Sequence, residues 1–280
     1  MSQNKYFNGW NTKKHLDQFN PWNNYSNSFF NYTFGSFFEN RIILKLLNKN
    51  NNFSVLDVGC ASGYLLRYIL KNISKFRKKN YYGVDLSKSA IEFAQSKFGI
   101  KNFELLENEN LDLKNRGKFD IVYSRDTILH QVNPIKFIEK LINLSKNYVI
   151  VRLRTRDNGE TEYDSDFSCQ MHYDKFWMPY IVINIEELIE IFKKNSFVKK
   201  IFINKSYMIL GGQNYRYLPK ELFFSTAGGA ETTIMLEIDK LGENSDQLEI
   251  IETSEKEGQI FISKNRIKFL IYRILNKLRI

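Results

Sequence analysis

The 280 residues are 43% hydrophobic and 15% aromatic, and 23 Phe and 16 Tyr against four Pro exclude a disordered chain and provide for one large domain. Two cysteines, Cys60 and Cys169, exclude a disulfide framework and a paired-cysteine zinc site; no metal centre is expected, and a reducing compartment is. The net charge of +10 is mostly a property of the tail. Six basic residues (Lys264, Arg266, Lys268, Arg273, Lys277, Arg279) fall in the last 17 positions, which hold no acid, so the rest carries +4 (10 − 6) and DNA is not an expected partner.

Residues 1–10 are polar, without the apolar core of a signal peptide, and no window approaches the roughly 18 apolar residues of a membrane span, so a cytoplasmic protein is expected. Residues 1–40, with Trp10, Trp22, Tyr25, Phe29 and Phe30 among many aromatics, read as a helical or irregular cover. A helix over 39–47 and a polar break over 48–52 follow.

From residue 53 onward, short β-rich runs alternate with helix-length amphipathic stretches, the pattern of a parallel sheet with helices on both faces. Strands are predicted over 53–58, 81–85, 102–106, 119–124, 148–154, 198–204 and 232–238, with helices over 64–73, 90–98, 135–144 and 185–194. The chain thus divides into a helical cover (1–47), an α/β domain (48–240) and a C-terminal extension (241–280). Two segments exceed the minimal unit, 155–182 and 205–230, and both are candidates for substrate specificity. Loops beyond the carboxyl ends of parallel strands line the ligand crevice of open α/β sheets. The second reaches that crevice only if strands six and seven form a hairpin folding toward the same edge.

The chemistry-bearing motif is FSVLDVGCASG, residues 53–63: a buried strand ends in an acid and a small-residue turn that opens a helix. Gly59 permits a tight turn, Ala61 and Gly63 let backbone approach a ligand, and the helix start offers free N–H groups. Asp57 can bind an ammonium, directly or through water. A dinucleotide-binding G-x-G-x-x-G would need glycines at 59, 61 and 64, which hold Gly59, Ala61 and Tyr64, so a pyrophosphate ligand is disfavoured. Asp85 closes strand two, where an acid can accept both ribose hydroxyls of a nucleoside; it can equally serve the start of the next helix through Ser87 and Ser89.

FSVLDVGCASGYLL resembles the first motif of class I S-adenosylmethionine (SAM)-dependent methyltransferases, YYGVDLS their second, and KFDIVYSRDTILHQVNP their fourth-strand motif. The resemblance covers residues 53–204 and reaches 232–238 more weakly. It implies an α/β, Rossmann-like, seven-stranded, mostly parallel sheet with an antiparallel last strand, and SAM as cofactor. It implies further that Asp57, Gly59, Cys60, Ala61 and Gly63 surround the methionine part of SAM, and that Asp85 and Leu86 hold the ribose and adenine edge. Asn108, flanked by Glu107 and Glu109, stands where the family usually has an acid beside the adenine amine. Ser124 and Arg125 fall beside the methyl group. Ala61 replaces the family's middle glycine.

His130, and His172 in the first insertion, are the candidate general bases, since imidazole titrates near neutrality; either can instead pack, cap or be solvated. Arg152, Arg154 and Arg156 alternate along a strand and share a face, so they suit a substrate phosphate or carboxylate unless Asp157, Glu160, Glu162, Asp164 and Asp166 neutralise them. Residues 264–280 form a basic amphipathic stripe (Ile267, Leu270, Ile271, Ile274, Leu275, Leu278) suited to a peripheral membrane surface, a partner helix or the protein's own core. The expected reaction is methyl transfer to a small-molecule or glycan-type acceptor, on oxygen. An RNA acceptor and a non-catalytic SAM-binding module are the alternatives, and the N/D-P-P-Y signature of amine-directed enzymes is absent after strand four.

Overall fold

The computed structural model describes Trp10 and residues 37–98, 102–106, 111, 113, 117–172, 176–211, 215–239 and 248–254. Most of the proposed cover over 1–47, the basic stripe over 264–280 and Asn108 lie outside the described residues. In chain order the elements are α1 (Phe38–Lys49), β1 (Val55–Val58), α2 (Tyr64–Asn72), β2 (Tyr81–Asp85), α3 (Lys88–Phe98), β3 (Phe103–Leu105), β4 (Phe119–Arg125) and α4 (Pro134–Leu144). They continue with β5 (Ser145–Arg156), β6 (Cys169–His172), β7 (Phe176–Pro179), β8 (Ile183–Asn184), α5 (Ile185–Lys194), β9 (Val198–Tyr207), β10 (Arg216–Tyr217), β11 (Ala230–Ile238) and β12 (Glu249–Ser254).

Strands run in the order β12-β9-β11-β5-β4-β1-β2-β3, with β8 paired to the end of β5. β1, β2, β3, β4 and β5 are mutually parallel, whereas β11 is antiparallel to both of its neighbours, β5 and β9. The seven expected strands form a contiguous run of this sheet, from β9 to the edge strand β3, in the expected sense. Two short strands join them: β8, and β12, which pairs parallel to β9 and brings part of the C-terminal extension into the sheet. The neighbours of β1 are β2 on one side and β4 on the other, so the strand order reverses there and a crevice opens at the carboxyl ends.

Alternation along each strand divides the core in two. Leu56 and Val58 of β1 pack with Val122, Val149 and Val151 against α4 and α5, through Phe137, Leu141, Leu188 and Phe192. Val55 packs with Tyr81, Ile121, Tyr123 and Ile150 against α1, α2 and α3, through Ile43, Leu47, Leu66, Ile69 and Ile91. All four residues of β1 are buried, as befits a strand covered on both faces. Helix starts follow local chemistry. Asn133 accepts the Lys136 N–H at 3.0 Å ahead of Pro134, Ser87 Oγ accepts the Ala90 N–H at 3.4 Å, and Asn184 Oδ1 accepts the Glu186 and Glu187 N–H groups at 2.8 and 3.3 Å.

The two insertions meet. β6 pairs antiparallel with β7 and with β10, forming a separate three-stranded sheet in order β10-β6-β7, although β6 and β10 are more than 40 residues apart in sequence. A small apolar core under it joins Leu129 of the segment after β4 with Tyr180, Val182, Leu210, Leu218 and Leu222, and the Ile181 N–H donates to Leu129 O at 2.8 Å. Arg156, 1% exposed, ties both insertions together, donating to Asn158 O, Glu160 O and Glu221 Oε1 at 2.6, 3.2 and 3.0 Å. Because β9 and β11 are antiparallel neighbours, the second insertion folds back to the edge of the sheet where the first begins.

Asn184 caps α5 and also donates to Gly159 O at 2.7 Å, holding the first insertion to the helix. Asn184→Ala is expected to lower stability by about 1 kcal/mol; an unchanged denaturant midpoint would show that the cap contributes nothing.

Candidate functional site

The chain leaves β1 through a turn with three left-handed residues, Gly59 (φ 78°), Ala61 (φ 48°) and Gly63 (φ 82°). The Gly59 and Cys60 N–H groups both donate to Val84 O (2.9 and 3.1 Å), and the Ala61 N–H donates to Asp85 Oδ2 (2.8 Å). The turn after β1 is thereby pinned to the end of β2. A Cβ on Gly59 would lie 2.1 Å from Thr127 Oγ1, so only glycine fits beneath the segment that follows β4. At Ala61, φ lies in the pocket that L-residues enter at a cost of about 1–2 kcal/mol, which lets alanine stand where the resemblance has glycine. Cys60 faces away from the crevice: its residue is 4% exposed, and a Cβ on Gly83 would meet its Sγ at 2.9 Å. Burial pushes its thiol up, so Cys60 offers a ligand its backbone alone.

Two carboxylates flank the turn. Asp57, 3% exposed, accepts a hydrogen bond from the Tyr81 hydroxyl and meets no cationic side chain within salt-bridge distance among the described residues. Burial raises its pKa to about 7, opposed by the Tyr81 hydrogen bond. Asp85, half-buried, has its pKa raised by burial and opposed by backbone N–H donors. Its Oδ1 accepts the Ser87 N–H at 2.8 Å and its Oδ2 the Ala61 N–H at 2.8 Å. Asp85 therefore supports the turn into α3, the second of its two sequence readings. Leu86 follows it, half-buried.

At the end of β4, Ser124 is fully buried and its hydroxyl has no hydrogen-bond partner among the described residues. Arg125 lies 3.1 Å from Glu39 Oε1, with its guanidinium 3.9 Å above the Phe37 ring. Two of the three alternating arginines, Arg152 and Arg154, share a site, but the acids expected to neutralise them are not those that do. Arg152 pairs with Asp126 at 2.7 Å and with Glu231, and Arg154 pairs with Asp126 at 3.1 Å and Glu231 at 2.8 Å. Arg156 turns to Glu221, and from the expected set only the Glu160 carbonyl reaches it. Burial acts to raise the Asp126 pKa, but Arg152, Arg154 and Arg125 outweigh it and hold the carboxyl well below its ordinary range.

His130 is 8% exposed, with its ring edge-on to those of Trp10 and Tyr180 at 5.2 and 5.8 Å. Its Nδ1 lies 2.8 Å from Pro179 O; since a carbonyl only accepts, Nδ1 carries the proton and Nε2 keeps the lone pair. Burial lowers its pKa to about 4, so the ring is neutral at physiological pH and weakly basic. His172 ends β6, in register with Phe176, in the insertion sheet rather than on the main one.

Sequence reasoning did not single out Glu39, Glu231, Tyr180 or Arg216. Glu231 is directly opposite Arg154 across the antiparallel β11–β5 ladder, and Glu39 comes from the first turn of α1, so both depend on long-range register. The alternation of Arg152 and Arg154 was the available signal that partner acids had to exist.

Gly59→Ala combines an unfavourable φ with the Thr127 clash and is expected to cost about 2–4 kcal/mol. The double variant Gly59→Ala/Thr127→Ala should recover the clash and retain the φ penalty. Equal melting of wild type and single variant would contradict this packing.

A profile of the family described as "Methyltransferase domain" matches residues 49–221, more than half of the chain. The tRNA U34 carboxymethyltransferase of Campylobacter jejuni (strain RM1221) is 34% identical over 122 residues, 41% of this chain and 40% of that protein. The malonyl-[acyl-carrier protein] O-methyltransferase of Priestia megaterium (strain DSM 319 / IMG 1521) is 28% identical over 123 residues, 44% and 43% of the two chains. The chain thus spans about two fifths of the length of these curated relatives. Among solved structures, the plantazolicin methyltransferase BpumL in complex with SAH is similar with 17% identity, covering 84% of this chain and 95% of that one, at a TM-score of 0.48. Magnesium protoporphyrin IX methyltransferase (ChlM) from Synechocystis PCC 6803 with bound SAM is similar with 16% identity, 72% and 78% coverage, and a TM-score of 0.41. With the family match spanning the β1 turn, the β2 acid and the β4 end, this chain belongs to the methyltransferase domain family, in its class I, Rossmann-like form, whose cofactor is S-adenosylmethionine.

Proposed function

We propose that this chain is a SAM-dependent methyltransferase that moves a methyl group to oxygen on a small-molecule or glycan-type acceptor. The observation that carries this reading is the pair of carboxylates, Asp57 and Asp85, on either side of the left-handed turn at the β1/β2 tips. The residues fit the cofactor: a buried acid without a cationic partner suits the ammonium, and the Asp85 carboxylate suits the ribose hydroxyls. When bound, SAM supplies an electrophilic sulfonium methyl. Gly59, Ala61 and Gly63, with the Cys60 backbone, bring main chain close to the amino-acid arm, and Leu86 borders adenine. Ser124 and Arg125 stand on the methyl side, since Ser124 is in register with Val58 at the end of β1.

Methyl transfer needs an aligned nucleophile more than a strong base. His130, neutral and held by Pro179 O, accepts the hydrogen bond of the acceptor hydroxyl through Nε2 and so orients it; His172 is the second candidate for this task. The insertions form the acceptor wall through the side that sets Arg216 against Tyr180, while Trp177 and Tyr217 are exposed on the opposite, aromatic face of their sheet. A second reading, an RNA acceptor, is favoured by the tRNA-directed relatives and by the same aromatic face, on which bases can stack. Tritium transfer from labelled SAM into small-molecule, glycan and RNA fractions separates the two. SAM binding with no labelled fraction would favour a non-catalytic binding module.

Asp85→Ala is expected to weaken SAM binding by about 1.5–3 kcal/mol, the worth of hydrogen bonds to a charged group; unchanged affinity in a folded variant refutes the ribose role. Asp57 ionises near pH 7 in the free protein. An ammonium favours its charged form, so SAM affinity should rise as pH increases from about 6 to 8, with proton release on binding below pH 7. Calorimetry in buffers of different ionisation enthalpy reads this; a pH-independent affinity over that window contradicts it.

A further inference from the structure

Besides Ser124 Oγ at the end of β4, three buried polar atoms toward the insertions have no hydrogen-bond partner among the described residues: Tyr180 Oη, Arg154 Nε and Arg216 Nε. Leaving one such group unmet costs about 1–3 kcal/mol, so three in one place call for a ligand. They are in one place. The Arg216 guanidinium carbon is 4.6 Å from the centroid of the Tyr180 ring, and that ring is edge-on to His130. Tyr180 is within electrostatic reach of Arg154, and both arginines act on His130.

The charge balance specifies the ligand. Arg125, Arg152 and Arg154 are matched by Glu39, Asp126 and Glu231, three against three. Arg216 adds a fourth cation; it donates to Leu210 O at 3.2 Å and has no carboxylate within 4.0 Å among the described residues. Asp126 and Glu231 occupy the two terminal nitrogens of Arg154 and leave Nε. Strand alternation sets Arg216 on one face, where it is paired with Gln170 and Gln170 with Met178, 8% and 1% exposed, while Tyr217, 53% exposed, projects from the other; the Arg216 guanidinium lies between the Tyr180 and Tyr215 rings, 4.6 and 5.4 Å from their centroids. Three donors and one unmatched positive charge attract an oxyanion and repel an amine.

We propose that Tyr180, Arg154 and Arg216 form an oxyanion subsite, and that the acceptor carries a carboxylate or phosphate which Arg216 neutralises and the other two hydrogen-bond. This rests on the methyltransferase reading for its link to the reaction, although the subsite binds its anion independently. The test is calorimetric titration of the full chain with malonate and, separately, inorganic phosphate, with and without S-adenosylhomocysteine, in wild type, Tyr180→Phe and Arg216→Gln. The tighter anion identifies the group. Each variant is expected to bind it about tenfold or more weakly, the loss of one charge-assisted hydrogen bond, with S-adenosylhomocysteine affinity unchanged. Tyr180→Phe keeps the ring beneath Arg216 and so serves as the fold-preserving variant. No anion binding in wild type, or equal binding in wild type and Tyr180→Phe, overturns the subsite. Loss of S-adenosylhomocysteine binding with anion binding intact overturns the methyltransferase reading alone.

Discussion

One steric contact organises the crevice: the segment after β4 lies on the turn after β1 so closely that Gly59 has no room for a Cβ. Thr127 Oγ1 reaches Arg125 O at 3.2 Å, and the N–H groups of Gly59 and Cys60 close on Val84. Three strand ends, β1, β2 and β4, are thereby held within a few ångströms of one another. The Asp57 and Asp85 carboxylates derive their positions from that contact, and the reversal of strand order at β1 turns it into a cleft. A nucleoside with a cationic arm needs such a cleft: main chain without side chains at the arm, an acid at the ammonium and another at the sugar.

The proposed acceptor side is built differently, by buried charge. Asp126, with φ 55°, is a left-handed non-glycine residue at the end of β4, and the strain is offset because its N–H donates to Arg152 O at 2.9 Å while its carboxylate meets three guanidiniums. Glu39, 2% exposed at its side chain, brings α1 onto the same cluster, and Thr233 donates to it at 3.2 Å. Removing one partner from such a network leaves a buried charge uncompensated, at a cost of about 3–5 kcal/mol. The cluster fixes β4, β5, β11 and α1 to one another, and Arg216 stands outside its ion pairs.

The first half of the site was legible in the sequence because it is local. Asp57, Gly59 and Gly63 lie within seven positions, and Asp85 ends the next strand, so motif spacing alone places them together. The acceptor side was legible only as a tension. Three alternating arginines demanded acids, but the nearest acids in sequence point into the insertion, whereas Glu231 arrives through antiparallel register and Glu39 from a helix over 80 residues upstream. The pairing of β6 with β10, which turns two insertions into one wall carrying Tyr180 and Arg216, has no local signal because both strands are short and bounded by loops. β12 escaped notice for the opposite reason. Its residues are mostly exposed and carry no buried alternation, although they add a parallel strand to β9.

The central claim is a nucleoside seat across the β1 and β2 tips. A crystal structure with S-adenosylhomocysteine tests it directly: density is expected with the ribose hydroxyls on Asp85, the ammonium at Asp57 and the amino-acid arm along residues 59–63. Density for the ligand elsewhere, with Asp57 and Asp85 both out of hydrogen-bond reach, would contradict it.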